Sequence, residues 1–142
     1  MTGTFIVLAA CIRRSAFRAL GEPERQLVEQ HPTIGRQVLQ PLIDNEVALA
    51  VVGWHHERWD GKGYPDRLAG RSIPLAARIV SVCDVLDAMT SPPAHREAHS
   101  WDAAVEAVKS ESGTAFDPDV IDATLRCLDE LKSISQASRH GD

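Results

Sequence analysis

Two strongly apolar stretches, residues 46–58 (EVALAVVGWHHER) and 74–89 (PLAARIVSVCDVLDAM), flank a polar run from 60 to 72 that carries Gly61, Gly63, Pro65 and Gly70. No part of the chain shows the period-two alternation of a half-buried strand, so the apolar stretches read as helices and the run between them as a loop. A loop of that length inside a compact domain is as a rule either functional or disordered. The remaining joints are equally well marked. Pro23 opens PERQLVEQ, with Leu27 and Val28 on a narrow apolar face. Pro32 suits the first turn of a second helix bearing Ile34, Val38 and Leu39. Asp44 or Asn45 can cap the third helix, over residues 46–58, whose apolar character almost all round predicts a central position. Pro74 opens a long helix stopped by Ser91-Pro92-Pro93, and Ser100 can cap a fifth with Ala104, Val105 and Val108 on one face. Asp117-Pro118 is a cap followed by a first-turn proline, which predicts a last helix to about Leu131. The chain is expected to be all-α.

With 142 residues the chain suits one domain with a modest core. Its 44% hydrophobic and 25% charged content excludes disordered and collagen-like classes. A net charge of -5 argues against a general nucleic-acid binder, whether of DNA or RNA, that works by neutralising phosphates. An anionic substrate would need metal ions or a few arginines to reverse the local field. Cys11, Cys83 and Cys127 form no close pair, a pattern that fits a reducing cytoplasm. Residues 4–12 (TFIVLAACI) are apolar but too short to span a bilayer, and Arg13, Arg14 and Arg18 follow that run instead of preceding it as a signal peptide requires. Leu8-Ala9-Ala10-Cys11 looks like a lipoprotein box but lacks the basic segment before it. Residues 1–20 therefore stand as an atypical segment with three arginines and no acid, and the polar tail 132–142 is expected to fray.

Four residues can carry chemistry. His31 precedes Pro32, His55 and His56 close the third helix before the glycine-rich loop, and Asp84 lies midway along an apolar helix. A carboxylate buried there without a partner costs on the order of several kcal/mol. Asp84 must therefore face solvent, pair with a cation such as Arg78, or meet a metal. Adjacent histidines on a helix project about 100° apart, yet both can reach one site near the helix end. Neutral imidazoles with a carboxylate suit zinc, iron or manganese.

The segments HPTIG, HHERWDGKGYP, IPLAARIVSVCDVLDAMTS and GTAFDPDV occur in the order and spacing of the HD-GYP domain family, and the chain resembles that family over residues 21–131. The resemblance implies an HD-type helical bundle that hydrolyses cyclic di-GMP with two or three iron or manganese ions. It also implies that His31, His55, His56 and Asp84 are metal ligands. Gly63, Tyr64 and Pro65 would shape the guanine pocket on the substrate side of the site and, in some relatives, touch diguanylate cyclase (GGDEF) domains. Asp60 and Gly61 would fix the loop turn.

The family's adjacent His-Asp pair is absent. Upstream of His31 there is no His or Asp, and the first acidic residue is Glu22. The bundle is therefore expected to be incomplete at its N-terminus, with exposed apolar surface and self-association. The three histidines are expected to gather on one ion while Asp84 served another. Where the family carries Arg-Pro-Tyr followed by a cation, this chain reads Pro93-Ala94-His95-Arg96, leaving Arg96 as the surviving phosphate contact. His95 and His99 read as a solvated helix start, His140 as incidental and Cys83 as core. Two functions follow: a cyclic-di-GMP phosphodiesterase of reduced or lost activity, or a non-catalytic module that binds a cyclic dinucleotide or a diguanylate cyclase domain. Ser and Cys nucleophile chemistry has no motif partner.

Overall fold

The computed structural model describes residues 21–91 and 98–139, and every regular element among them is helical. Helix α1 (Glu22–Glu29) runs through one residue, Gln30, into α2 (His31–Leu39), which has Pro32 in its first turn. Helix α3 (Glu46–Trp54) is capped by Asn45, whose side chain accepts from the Ala48 N–H at 3.0 Å. A short 3-10 turn at Gly70–Ser72 precedes α4 (Leu75–Thr90), and Ser100 caps α5 (Trp101–Ser110) through the Ala103 N–H. Asp117 caps α6 (Pro118–Arg126), and the chain breaks at Cys127 before α7 (Leu128–Arg139). Among the described residues an isolated bridge joins Ser112 to Phe116.

The main core lies in the C-terminal half. Val82 and Leu86 of α4 meet Ala104, Val105 and Val108 of α5, with Ala115, Phe116, Val120 and Ile121 closing the cluster. The third helix is not central, against the expectation from its apolar sequence. It packs on α2 and α4, buries Leu49 and Gly53, and leaves Val47 64% exposed. Two packing neighbours cover only part of a helix that is apolar all round. Leu27, Ile34, Val38 and Leu42 are exposed on the same N-terminal side.

Helices α2 and α3 pack closely, because each puts a glycine at the crossing. A Cβ on Gly35 would stand 3.1 Å from Val52 Cγ1, and one on Gly53 would stand 3.1 Å from Arg36 Cδ. The Arg36 guanidinium covers the Trp54 ring at 4.3 Å, a cation–π contact that seals the end of the pair. This crossing sets the start of α2 against the end of α3.

Two boundaries and the burial of one residue differ from the sequence expectation. The third helix stops at Trp54 instead of Arg58, because Glu57 turns its carboxylate back into the following loop and draws the chain out of the helix. The last helical stretch continues to Arg139 instead of stopping near Leu131. Asp129 and Glu130 at its start complement the helix dipole, and Lys132 reaches Asp102 of α5 at 3.8 Å. Cys83, expected in the core, is exposed on α4.

Candidate metal centre

His31 opens α2, His55 is the C-cap of α3 and His56 follows in the turn, so the close α2–α3 crossing brings all three imidazoles together. The ring centroids lie 4.9 Å apart for His31 and His56, 5.6 Å for His31 and His55, and 4.1 Å for His55 and His56. One nitrogen from each ring falls within 4.8 Å of the others. Because His56 lies beyond the helix end, the two neighbouring rings converge instead of splaying as they would on a continuing helix.

Backbone carbonyls fix two of the rings. His31 Nδ1 donates to Val28 O at 2.6 Å, and His55 Nδ1 donates to Val51 O at 2.9 Å. A carbonyl can only accept, so each Nδ1 carries a proton, which leaves Nε2 as the nitrogen through which the neutral ring can bind a metal. His31 Nε2 and His56 Nε2 are buried with no hydrogen-bond partner. Burial, then the neighbouring histidines, pushes the His56 pKa down to about 3. Burial likewise lowers His55, against the opposing pull of its hydrogen bond to Val51. Both rings are thus neutral at neutral pH. Orphaned buried nitrogens on converging imidazoles fit a divalent ion.

Asp84 stands outside this group of three. It pairs with no cation among the described residues, and burial followed by the Asp87 charge pushes its carboxyl up to about 6. Arg78, the partner open to Asp84 from sequence, is engaged elsewhere: its Nη1 meets the buried Asp117 carboxylate and its Nε donates to Ile73 O. Arg96 and His95 lie outside the described residues. His99 is exposed and joins no metal-holding group among them.

The loop after the histidines folds back over them. Tyr64 N donates to His56 O at 3.3 Å, and the Tyr64 ring stacks on His56 at 4.8 Å and 27°. Gly63 makes that approach possible. A Cβ there would sit 2.4 Å from Arg58 N and 2.6 Å from His56 O. The Tyr64–Pro65 peptide is cis. Burial, then the charges of Glu29 and Asp84, raises the Tyr64 hydroxyl above its ordinary value, so it stays protonated. Asp60 holds the turn as its place in the loop suggests: it accepts from Lys62 N and pairs with Arg58, while Gly61 takes a φ of 74°.

Sequence reasoning missed Glu57. It is 4% exposed, and its carboxylate accepts from Asp66 N at 2.7 Å and Leu68 N at 3.0 Å, pinning the loop beside His56. Its signal was an acid placed directly after two histidines. The GTAFDPDV segment also has a structural role. Ala115 and Thr114 carbonyls accept from Trp59 N and Asp60 N, and Asp117 both caps α6 and holds Arg78.

The sequence model of the family described as HD domain matches residues 11–120. The chain is 42% identical to the cyclic di-GMP phosphodiesterase response regulator RpfG of Xanthomonas campestris pv. campestris, over 81% of this chain and 31% of that protein. It is 30% identical to 3'3'-cGAMP-specific phosphodiesterase 2 of Vibrio cholerae, over 81% of this chain and 22% of that protein. A crystal structure of a cyclic GMP-AMP specific phosphodiesterase of V. cholerae aligns with a TM-score of 0.67 at 24% identity, covering 96% of this chain and 36% of that one; this likeness concerns the fold. The chain spans about a third or less of the curated relatives it matches. No helix among the described residues is long and apolar enough to cross a membrane.

Proposed function

The chain belongs to the HD domain family, in the HD-GYP branch, and we propose that it is a metal-dependent phosphodiesterase domain directed at cyclic di-GMP, with weakened hydrolysis. The observation that carries this reading is the convergence of three imidazoles with two buried, unpartnered Nε2 atoms. His31, His55 and His56 would hold one divalent ion, iron or manganese before zinc. A bound ion would supply Lewis-acid polarisation of a phosphoryl oxygen and a water of lowered pKa. Asp84 is the single carboxylate assigned to a second ion, too few ligands to hold it firmly. Gly63, Tyr64 and Pro65 form the substrate-side wall, and Tyr64 closes one face of His56 to water. Arg96 is assigned to a substrate phosphate.

The weakening rests on the ligand set, since no Asp adjoins a His in sequence to bridge two ions. That same feature favours a second reading, a module that binds the cyclic dinucleotide without turning it over. Cyclic-di-GMP turnover in manganese or reduced iron separates the two. Slow hydrolysis abolished by His55→Ala supports the phosphodiesterase. Absent hydrolysis with binding lost on Tyr64→Ala supports the module. The exposed Leu27, Val38, Leu42 and Val47 favour self-association of this chain. A monodisperse monomer at high concentration in light scattering contradicts that part.

A further inference from the structure

His31 and His55 are each oriented by a hydrogen bond from Nδ1 to a backbone carbonyl. His56 is not: no hydrogen bond among the described residues engages a nitrogen of its ring. Packing must therefore set where its Nε2 points. The ring lies most nearly parallel to Tyr64, 4.8 Å away at 27°, while His55 and His31 meet it at 42° and 80°. The direction of the third imidazole thus depends on where the loop puts Tyr64.

The loop beyond Tyr64 needs outside support to keep that place. Pro65 has no N–H to donate. Arg67 takes a φ of 56°, a left-handed conformation that residues with a Cβ rarely adopt. Such a turn persists only where its surroundings over-determine it. Glu57 holds its backbone from within, through Asp66 N and Leu68 N. On the exposed side, Trp54 Nε1 donates to Asp66 Oδ2 at 2.7 Å. This charge-assisted bond ties the last residue of α3 to the second residue after Tyr64. The indole is itself held, with the Arg36 guanidinium 4.3 Å from its ring centre.

We propose that Trp54 and Asp66 are positioning residues of the metal site: their hydrogen bond holds the loop so that Tyr64 stacks on His56 and keeps its Nε2 aimed at the ion. This assignment rests on the metal reading above. Neither residue belongs to the group of imidazoles, and the effect passes through Tyr64 to His56. A partner that orients a ligand directly is worth about 10–100-fold in metal affinity, so a bond further out is expected to be worth about three- to tenfold.

Tyr64 is the only tyrosine of the chain, so labelling with fluorotyrosine gives one fluorine NMR resonance that reports its stacking. Spectra of the metal-free chain and titration calorimetry with manganese, for wild type, Trp54→Phe, Asp66→Ala and Asp66→Asn, test the assignment. Trp54→Phe keeps a ring beneath Arg36 and loses the N–H. Asp66 is exposed, so Asp66→Ala removes the same bond without disturbing the core. Both variants are expected to keep thermal midpoints near wild type and to move the resonance towards its unfolded position. Both are expected to raise the manganese Kd about three- to tenfold. Asp66→Asn, whose amide oxygen still accepts, is expected to stay near wild type in both measurements. A resonance unmoved by Trp54→Phe and Asp66→Ala, or one that moves with no change in manganese affinity, overturns the assignment and leaves the metal reading standing. A wild-type chain that binds no manganese overturns both.

Discussion

At the scale of single residues, burial governs the chemistry of the site. His31 and His56 each keep a buried Nε2 with no partner, and the His56 pKa is held down to about 3 by burial and its two neighbours. The metal-free fold therefore binds fewer protons than the unfolded chain below the ordinary value of 6.5. Stability from His55 and His56 is complete above pH 6.5 and lost as pH falls towards about 3. Asp84 has the opposite sign. Its carboxyl is raised from 3.8 to about 6, so its contribution is complete below 3.8 and lost as pH rises through 6. The thermal midpoint of metal-free protein is expected to fall between pH 7.5 and 4.5, and to fall further in Asp84→Asn, where the opposing group is gone. Parallel curves for the two proteins would contradict this assignment. The histidines were legible in sequence because their spacing to the glycine-rich loop is so particular. Glu57 was not, because an acid beside two histidines looks the same whether it binds a metal or clamps a loop. The pairing of Asp84 with Arg78 failed for a like reason: proximity on one helix cannot show that Asp117, far along the chain, takes the arginine.

At the scale of elements, the loop of residues 56–70 is held by backbone proximity on one side and by the segment before α6 on the other. Gly63→Ala is expected to cost about 1–3 kcal/mol in urea denaturation, because its Cβ would meet backbone atoms that cannot move aside. The same variant is expected to weaken metal binding, since Tyr64 leaves its place on His56. Asp117→Ala removes a helix cap and strands the partly buried Arg78, for an expected loss of about 3 kcal/mol. Asp117→Asn keeps the cap and is expected to lose less. An Asp117→Ala protein as stable as wild type would show that the ion pair is incidental. The caps at Asn45, Ser100 and Asp117 were legible because each is a local side-chain bond to the backbone. The early end of α3 was not, since Glu57 ends it through bonds to residues beyond Pro65. The continuation of α7 depends in part on Lys132 meeting α5, a contact that no local pattern reports.

At the scale of the whole molecule, the chain has a well-packed C-terminal core and an apolar N-terminal side in which α3 is only partly covered. The helical class and the family were legible because they rest on ordered motifs. The peripheral place of α3 was not, since periodicity shows how much apolar surface a helix has and not what covers it. The site follows the same division. The three imidazoles gather within α2, α3 and the turn after them, while Asp84 joins no such group among the described residues. Metal analysis of the purified chain after equilibration with manganese or reduced iron, with His31→Ala, His56→Ala and Asp84→Asn alongside, tests this division most directly. One divalent ion per chain, lost in both histidine variants and retained in Asp84→Asn, is the expected result. Two or more tightly bound ions per chain, or an ion that survives the loss of His56, would contradict it.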